Sequence, residues 1–208
     1  MTIAPLPLSL PRPETFFDDD FYHQVFSDPS AAIRYINLFS TQLDEEIKRA
    51  FSLCSAALEL PYRPEAIGRA VREVARAITT NVEGTIGFTS FFMRAVRRSK
   101  AKISIPQRNR GESVPERLIN VLTAFSEAFG GSHQIGHDDR LAMFASAFDI
   151  RDRLTHPRGA ADLDLGLNDL DTFFQALGWF HEQAMPAIVL NEQKIGECFG
   201  SRRPLKRS

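Results

Sequence analysis

Apolar residues recur along most of this chain at intervals of three and four, the period of a helix that buries one face. Ile33, Ile36, Phe39, Leu43, Ile47, Ala50, Cys54 and Leu58 form one such stripe, with Asp28-Pro29-Ser30 ahead of it and Pro61 after it. A capping residue before a proline at the first helical position, and a proline past the end, mark the two termini of a long amphipathic helix. From Pro64 a second stripe takes Ile67, Val71, Val74, Ile78 and Val82, with arginines and glutamates between them for solvent. Gly84 and Gly87 predict a kink or break there, before Phe88, Phe91, Phe92 and Val96 resume an apolar helix.

Ser113 and Glu116 have the spacing of a capping box and introduce Leu118, Val121, Leu122, Phe125 and Phe129, and Gly130-Gly131 stops that helix. A helix from about Asp138 to Thr155 carries Leu141, Phe144 and Phe148 on one side and Met143, Ala147, Ile150 and Leu154 on another. Apolar on two faces, it is expected to be central. Asn168, three residues before Asp171, reads as the start of a last long helix with Leu170, Phe173, Phe174, Leu177, Phe180, Ala184 and Ile188 on its stripe. No sustained apolar and polar alternation occurs, and no hairpin signal joins two strand-like runs. The pattern predicts an all-α bundle of five to six helices.

Composition narrows the partners more than the fold. At 208 residues and 43% apolar content, one sizeable core is expected. Residues 1–13 are proline-rich and aperiodic and read as a disordered leader, residues 14–195 as a single helical domain, and 196–208 as a basic mobile tail. The 25 lysines and arginines nearly balance 26 aspartates and glutamates, so any surface for nucleic acid has to be local. Cys54 and Cys198 match no metal or redox spacing, and Cys54 falls on the first apolar stripe as a small hydrophobe, which suits a reducing cytoplasm. The start of the chain has no signal-peptide pattern, and its longest apolar runs are too short to cross a bilayer, so no membrane is expected as partner. The seventeen phenylalanines are accounted for by helix packing.

Packing does not account so easily for residues 150–159, IRDRLTHPRG. Pro157 disfavours helical geometry at His156, so the central helix ends there, with Arg151 and Asp152 in its last turns. Asp152 lies four residues before His156 and would approach its imidazole on a helix reaching that far, with Arg153 competing for the same carboxylate. Arginine is always charged and binds phosphate through two hydrogen bonds, while histidine exchanges protons near neutral pH. Together they suit phosphodiester chemistry on RNA, whose 2′-hydroxyl is an internal nucleophile, and neither a metal nor a cofactor is required. The same residues also serve to cap and solvate an ordinary helix end, with His156 packed in a turn.

The run RDRLTHP, between a central and a final helix of an all-α chain, resembles the signature of the HEPN superfamily: arginine, a polar residue, three variable residues and histidine, here followed by proline. The usual residue after the arginine in that family is asparagine. Asp152 departs from it and adds a negative charge close to an incoming phosphate. The resemblance covers the motif and, more loosely, the helical layout of residues 31–190. It implies a helical bundle that pairs as a homodimer, the two motifs forming one composite cleft. It also implies a metal-independent endoribonuclease that leaves 2′,3′-cyclic phosphate ends, of the kind found in toxin–antitoxin and phage-defence systems, with an antitoxin as a further protein partner. Carried over, Arg151 binds the phosphate, His156 acts as base or acid, and Asp152 and Thr155 tune the site. Other members of the superfamily have lost catalysis and serve as dimerisation or RNA- or nucleotide-binding modules.

Between Glu83 and Glu112 there is no acidic residue, whereas Arg94, Arg97, Arg98, Lys100, Lys102, Arg108 and Arg110 all fall there. As a loop this segment would either follow an RNA backbone through charge or be merely solvated. His133, His137, Asp138 and Asp139 offer metal donors, but the glycines around them argue against the regular helix that would align the histidines, and a polar loop is expected. The aspartates and His23 of FFDDDFYH read as a helix entry and His181 as a bundle residue. No glycine-rich phosphate loop, nucleophile elbow or HExxH motif is present, which removes the common nucleotide hydrolases, serine hydrolases and zinc proteases.

Overall fold

The predicted stripes are realised in five long helices, the two on either side of Gly84 and Gly87 sharing one of them. The computed structural model describes residues 29–59, 63–99, 103–129, 135 and 138–200, with the backbone alone in 29–39, 95–99, 185 and 189–200. They form an all-α bundle: α1 (Pro29–Glu59), α2 (Pro64–Ser99), α3 (Val114–Ala128), α4 (Asp139–Thr155), a short 3-10 turn (Ala160–Leu163) and α5 (Leu167–Gly200). The expected leader, the His23 region, Lys100, Lys102, Gly130-Gly131, His133, His137 and the last eight residues lie outside the described residues.

α1 packs on α2 with Ile47, Ala50, Cys54 and Ala57 buried. That register leaves Leu58, assigned to the stripe from sequence, about 100° round the helix from Ala57, and it is 49% exposed. Burial pushes the Cys54 thiol above its ordinary pKa. Ile67, Val71, Val74, Ile78 and Val82 of α2 are all buried as their spacing predicts.

The break expected at Gly84 and Gly87 does not occur, and α2 runs unbroken for 36 residues. A glycine in a helix interior costs about 1 kcal/mol relative to alanine. Beyond the pair, α2 buries Phe91, Phe92 and Met93, each a gain of about 2 kcal/mol on leaving water. Packing therefore outweighs the local preference. Thr79 and Thr89, buried on the same helix, donate their hydroxyls to the carbonyls of Ala75 (2.8 Å) and Thr85 (2.7 Å).

The core divides into two clusters. The larger joins α1, α2, α4 and α5 with Leu118 and Leu122 of α3, and the smaller gathers Phe92 and Met93 of α2 with Val121, Phe125 and Phe129. The capping box starts α3 as expected: the Ser113 N–H donates to Glu116 Oε2 (2.8 Å) and the Glu116 N–H to Ser113 Oγ (3.4 Å). The Ser113 N–H, and after it the Ser113 hydroxyl, which also donates to Glu116 Oε2 (2.9 Å), favour the ionised carboxyl and hold Glu116 below the usual carboxylate range.

α4 is central, touching α2, α3 and α5, with Phe144, Ala147, Phe148 and Ile150 buried. The Phe144 ring meets that of Trp179 on α5 at 4.6 Å between centroids. α5 starts at Leu167 rather than being capped by Asn168, because Asp169 reaches back to accept the Gly166 N–H at 2.9 Å. Its stripe buries Leu170, Phe173, Ala176, Trp179 and Phe180, while Phe174 is 47% exposed and stacks on Phe51 of α1 at 4.7 Å. The helix passes Pro186 and continues to Gly200, so the boundary expected at residue 196 falls inside it. Among the described residues no helix is long and apolar enough to cross a membrane.

Candidate functional site

The end of α4 is set by Pro157. His156 leaves helical geometry (φ −129°, ψ 61°), while its N–H still donates to the Asp152 carbonyl at 2.9 Å. Behind it, Ile150 is buried and Leu154 half-buried, so the core fixes how the last turn projects. The Thr155 hydroxyl donates to the Arg151 carbonyl at 2.9 Å, a back-bond onto the preceding turn of the helix.

The following segment is held as firmly. The Arg158 N–H donates to Asp162 Oδ2 (2.7 Å), and Arg72 of α2 donates through Nη1 to the Leu163 carbonyl (2.9 Å). Gly68 lets α2 approach closely here, since a Cβ at that position would lie 3.2 Å from the Leu165 carbonyl oxygen. His156 therefore sits on a corner anchored on both sides.

Arg151 and His156 both lie at this end of α4 but in different states. Arg151 donates through Nη2 to Glu83 Oε1 of α2 (2.8 Å) and through Nη1 to Asp152 Oδ1 (2.9 Å). The expected approach of Asp152 to His156 is thus not made, nor does Arg153 hold that carboxylate. The neighbouring guanidinium takes it, being always charged and able to donate to two acids at once. His156 is exposed, and its imidazole has no hydrogen-bond partner among the described residues. Glu83 had no signature in the sequence as a site residue, because it lies 68 positions from its partner.

The basic stretch is not a free loop. Arg94, Arg97 and Arg98 belong to α2, and Ile103 and Ile105 pack against the smaller core cluster. Arg110 occupies a tight turn in which the Glu112 N–H donates to the Asn109 carbonyl (3.2 Å) and Gly111 takes φ +82°, the geometry of a type II turn. Arg94 and Arg108 line a cavity of about 740 Å³ shared with Glu83, Glu112 and Arg117. The two acids that bracket the acid-free stretch in sequence are thus both in its wall. The structure therefore brings Arg94 and Arg108 together and connects them to Arg151 through Glu83, and leaves Arg110 apart.

Asp138, one of the four donors, is used structurally. Asp138 caps α4 by accepting the Arg140 N–H (3.1 Å), and hydrogen bonds from the Arg140 guanidinium hold its carboxyl below the usual range. Among the described residues no three potential metal-binding side chains come together. His181 is an exposed residue of α5 beside the Phe180 ring. No protein-family model matches this chain, and no match is found among curated proteins or solved structures.

Proposed function

We propose that the protein is a metal-independent endoribonuclease of the HEPN type, with Arg151 and His156 as its catalytic residues and Asp152 and Thr155 tuning them. The observation that carries this reading is the exposed imidazole of His156, without a hydrogen-bond partner among the described residues, at the anchored end of the helix whose last turns carry Arg151. His156 takes the proton from a 2′-hydroxyl, the freed oxygen attacks the adjacent phosphorus, and Arg151 stabilises the charge gathering on the phosphorane. The 5′-oxygen leaves with a proton from a general acid, giving a 2′,3′-cyclic phosphate and a 5′-hydroxyl end.

Among the described residues one protomer offers a single such imidazole, whereas the step uses both a base and an acid. A homodimer with a composite cleft supplies the second, and Leu163 and Leu167, both substantially exposed in the segment after His156, give a second copy apolar surface to cover. An antitoxin-like protein is a further partner under this reading.

The test is incubation of wild type and His156→Ala with labelled RNA in chelator, followed by analysis of the product ends. Cleavage by wild type alone with cyclic phosphate ends is expected, and full activity in a nuclease-free preparation of His156→Ala overturns the assignment.

A second reading, a non-catalytic dimerisation or RNA- or nucleotide-binding module in the same fold, is favoured by one observation: Arg151 is already held by two carboxylates. It predicts that Arg151→Ala impairs dimerisation or binding while no form cuts RNA.

A further inference from the structure

Gly84 and Gly87, which leave α2 unbroken, form part of the wall of the 740 Å³ cavity bounded by α2, the stretch before α3 and the first turn of α3. A Cβ built at Gly87 meets nothing within 4 Å, so the helix faces open space at this point. Ile86, Phe88, Phe91 and Val114 supply apolar walls. A cavity of this size with mainly apolar walls and a few polar groups is typical of small-molecule sites.

Apart from Glu83 and Ser113, which are held by Arg151 and Glu116, its polar groups form two distinct sets. Ser90 is 6% exposed, and its Oγ has no hydrogen-bond partner among the described residues. Arg117 Nη1 is likewise buried without one: Glu112 Oε2, at 3.8 Å, is within ion-pair range but too far for a hydrogen bond. The carboxylate of Glu112 also accepts from the Asn109 N–H and from Asn120 Nδ2 (2.6 Å). The inner end is therefore close to neutral in charge and rich in donors, and an acceptor without charge suits it. Arg94 and Arg108, by contrast, are exposed and have no carboxylate within ion-pair distance among the described residues. They give the cavity a cationic mouth.

We infer that this cavity binds a small amphipathic anion. Its flat apolar body lies against Phe88 and Phe91, a carbonyl or ring nitrogen accepts from Ser90 and Arg117, and one phosphate or carboxylate meets Arg94 and Arg108. An alkyl acid is the wrong occupant, because its chain would leave both buried donors unpaired. The inference uses neither Arg151 nor His156 and stands apart from the ribonuclease reading.

The experiment is calorimetric titration of the full chain with uridine 5′-monophosphate, 4-acetylbenzoate, octanoate and inorganic phosphate. At least one of the first two is expected to bind about tenfold more tightly than octanoate or phosphate, a step of one decade in Kd. Which of them does so distinguishes a nucleotide source from an aryl carboxylate. Gly87→Leu fills the wall with a better helix former, so the variant folds and its binding is lost, and Arg94→Gln and Ser90→Ala each weaken binding several-fold. If neither probe binds more tightly than octanoate and phosphate, or Gly87→Leu binds as wild type does, the inference is overturned.

Discussion

The two carboxylates on Arg151 give the sharpest test of its role, because structure and function predict opposite signs. Glu83→Gln and Asp152→Asn each remove one negative charge while keeping the side-chain shape. The guanidinium is 31% exposed and its partners 41% and 66%, so these are screened surface pairs. Each contributes about 0.2–1 kcal/mol to stability, and their loss should lower Tm by a few degrees at most, since ~1 kcal/mol shifts a domain of this size by about 2–4 °C.

A phosphate seated on Arg151 would lie on the order of 6 Å from each carboxylate, where repulsion in water is about 0.7 kcal/mol, reduced to ~0.3 by physiological salt with a Debye length of about 8 Å. Each substitution should therefore strengthen RNA binding or cleavage about 2-fold at physiological salt and about 3-fold at low salt, and the pair about 3-fold and about 10-fold respectively, on the rule that ~1.4 kcal/mol is tenfold. Fluorescence anisotropy with a short RNA, and cleavage of a quenched RNA in chelator, measure both across a salt series. A double variant that binds no tighter and cuts no faster at any salt would refute Arg151 as the phosphate contact and leave it as a strut between α2 and α4.

Three further outcomes follow from the packing and the caps. Phe144→Ala removes a fully buried ring between α4 and α5 and should cost about 3–5 kcal/mol in urea unfolding. Ser113→Ala deletes the hydroxyl of the capping box and should cost about 1 kcal/mol, measured the same way. Glu116 and Asp138 are held below their ordinary pKa, so the stability they confer is present above the unfolded carboxylate range and is lost as pH falls through the lower, folded values. Urea midpoints taken from pH 6 down to pH 3 should decline less steeply in Glu116→Gln than in wild type, and an unchanged slope would count against the cap as the source.

Helix class and most of the core were legible in the chain itself because periodicity is local. Residues such as Val71, Val74 and Ile78 share a face through backbone geometry alone, and the Ser113–Glu116 box spans three residues. The same locality explains the misreadings. Gly84 and Gly87 locally favour a break, and only the burial of Phe91, Phe92 and Met93 against other helices decides that α2 continues. At Phe174 the spacing allowed two neighbouring residues on the stripe, and packing of the bundle buried Phe173 while leaving Phe174 half-exposed against Phe51 of α1.

For the site, the sequence by itself placed Arg151 and His156 at a helix end, since Pro157 acts on its immediate neighbour. It did not determine their partners. Glu83 reaches Arg151 across 68 residues, Arg72 reaches the Leu163 carbonyl across 91, and the cavity draws its arginines and glutamates from two helices and the stretch between them. Such pairings depend on how helices cross and at what depth their stripes interlock, which is a property of the packed bundle and not of any one turn of it.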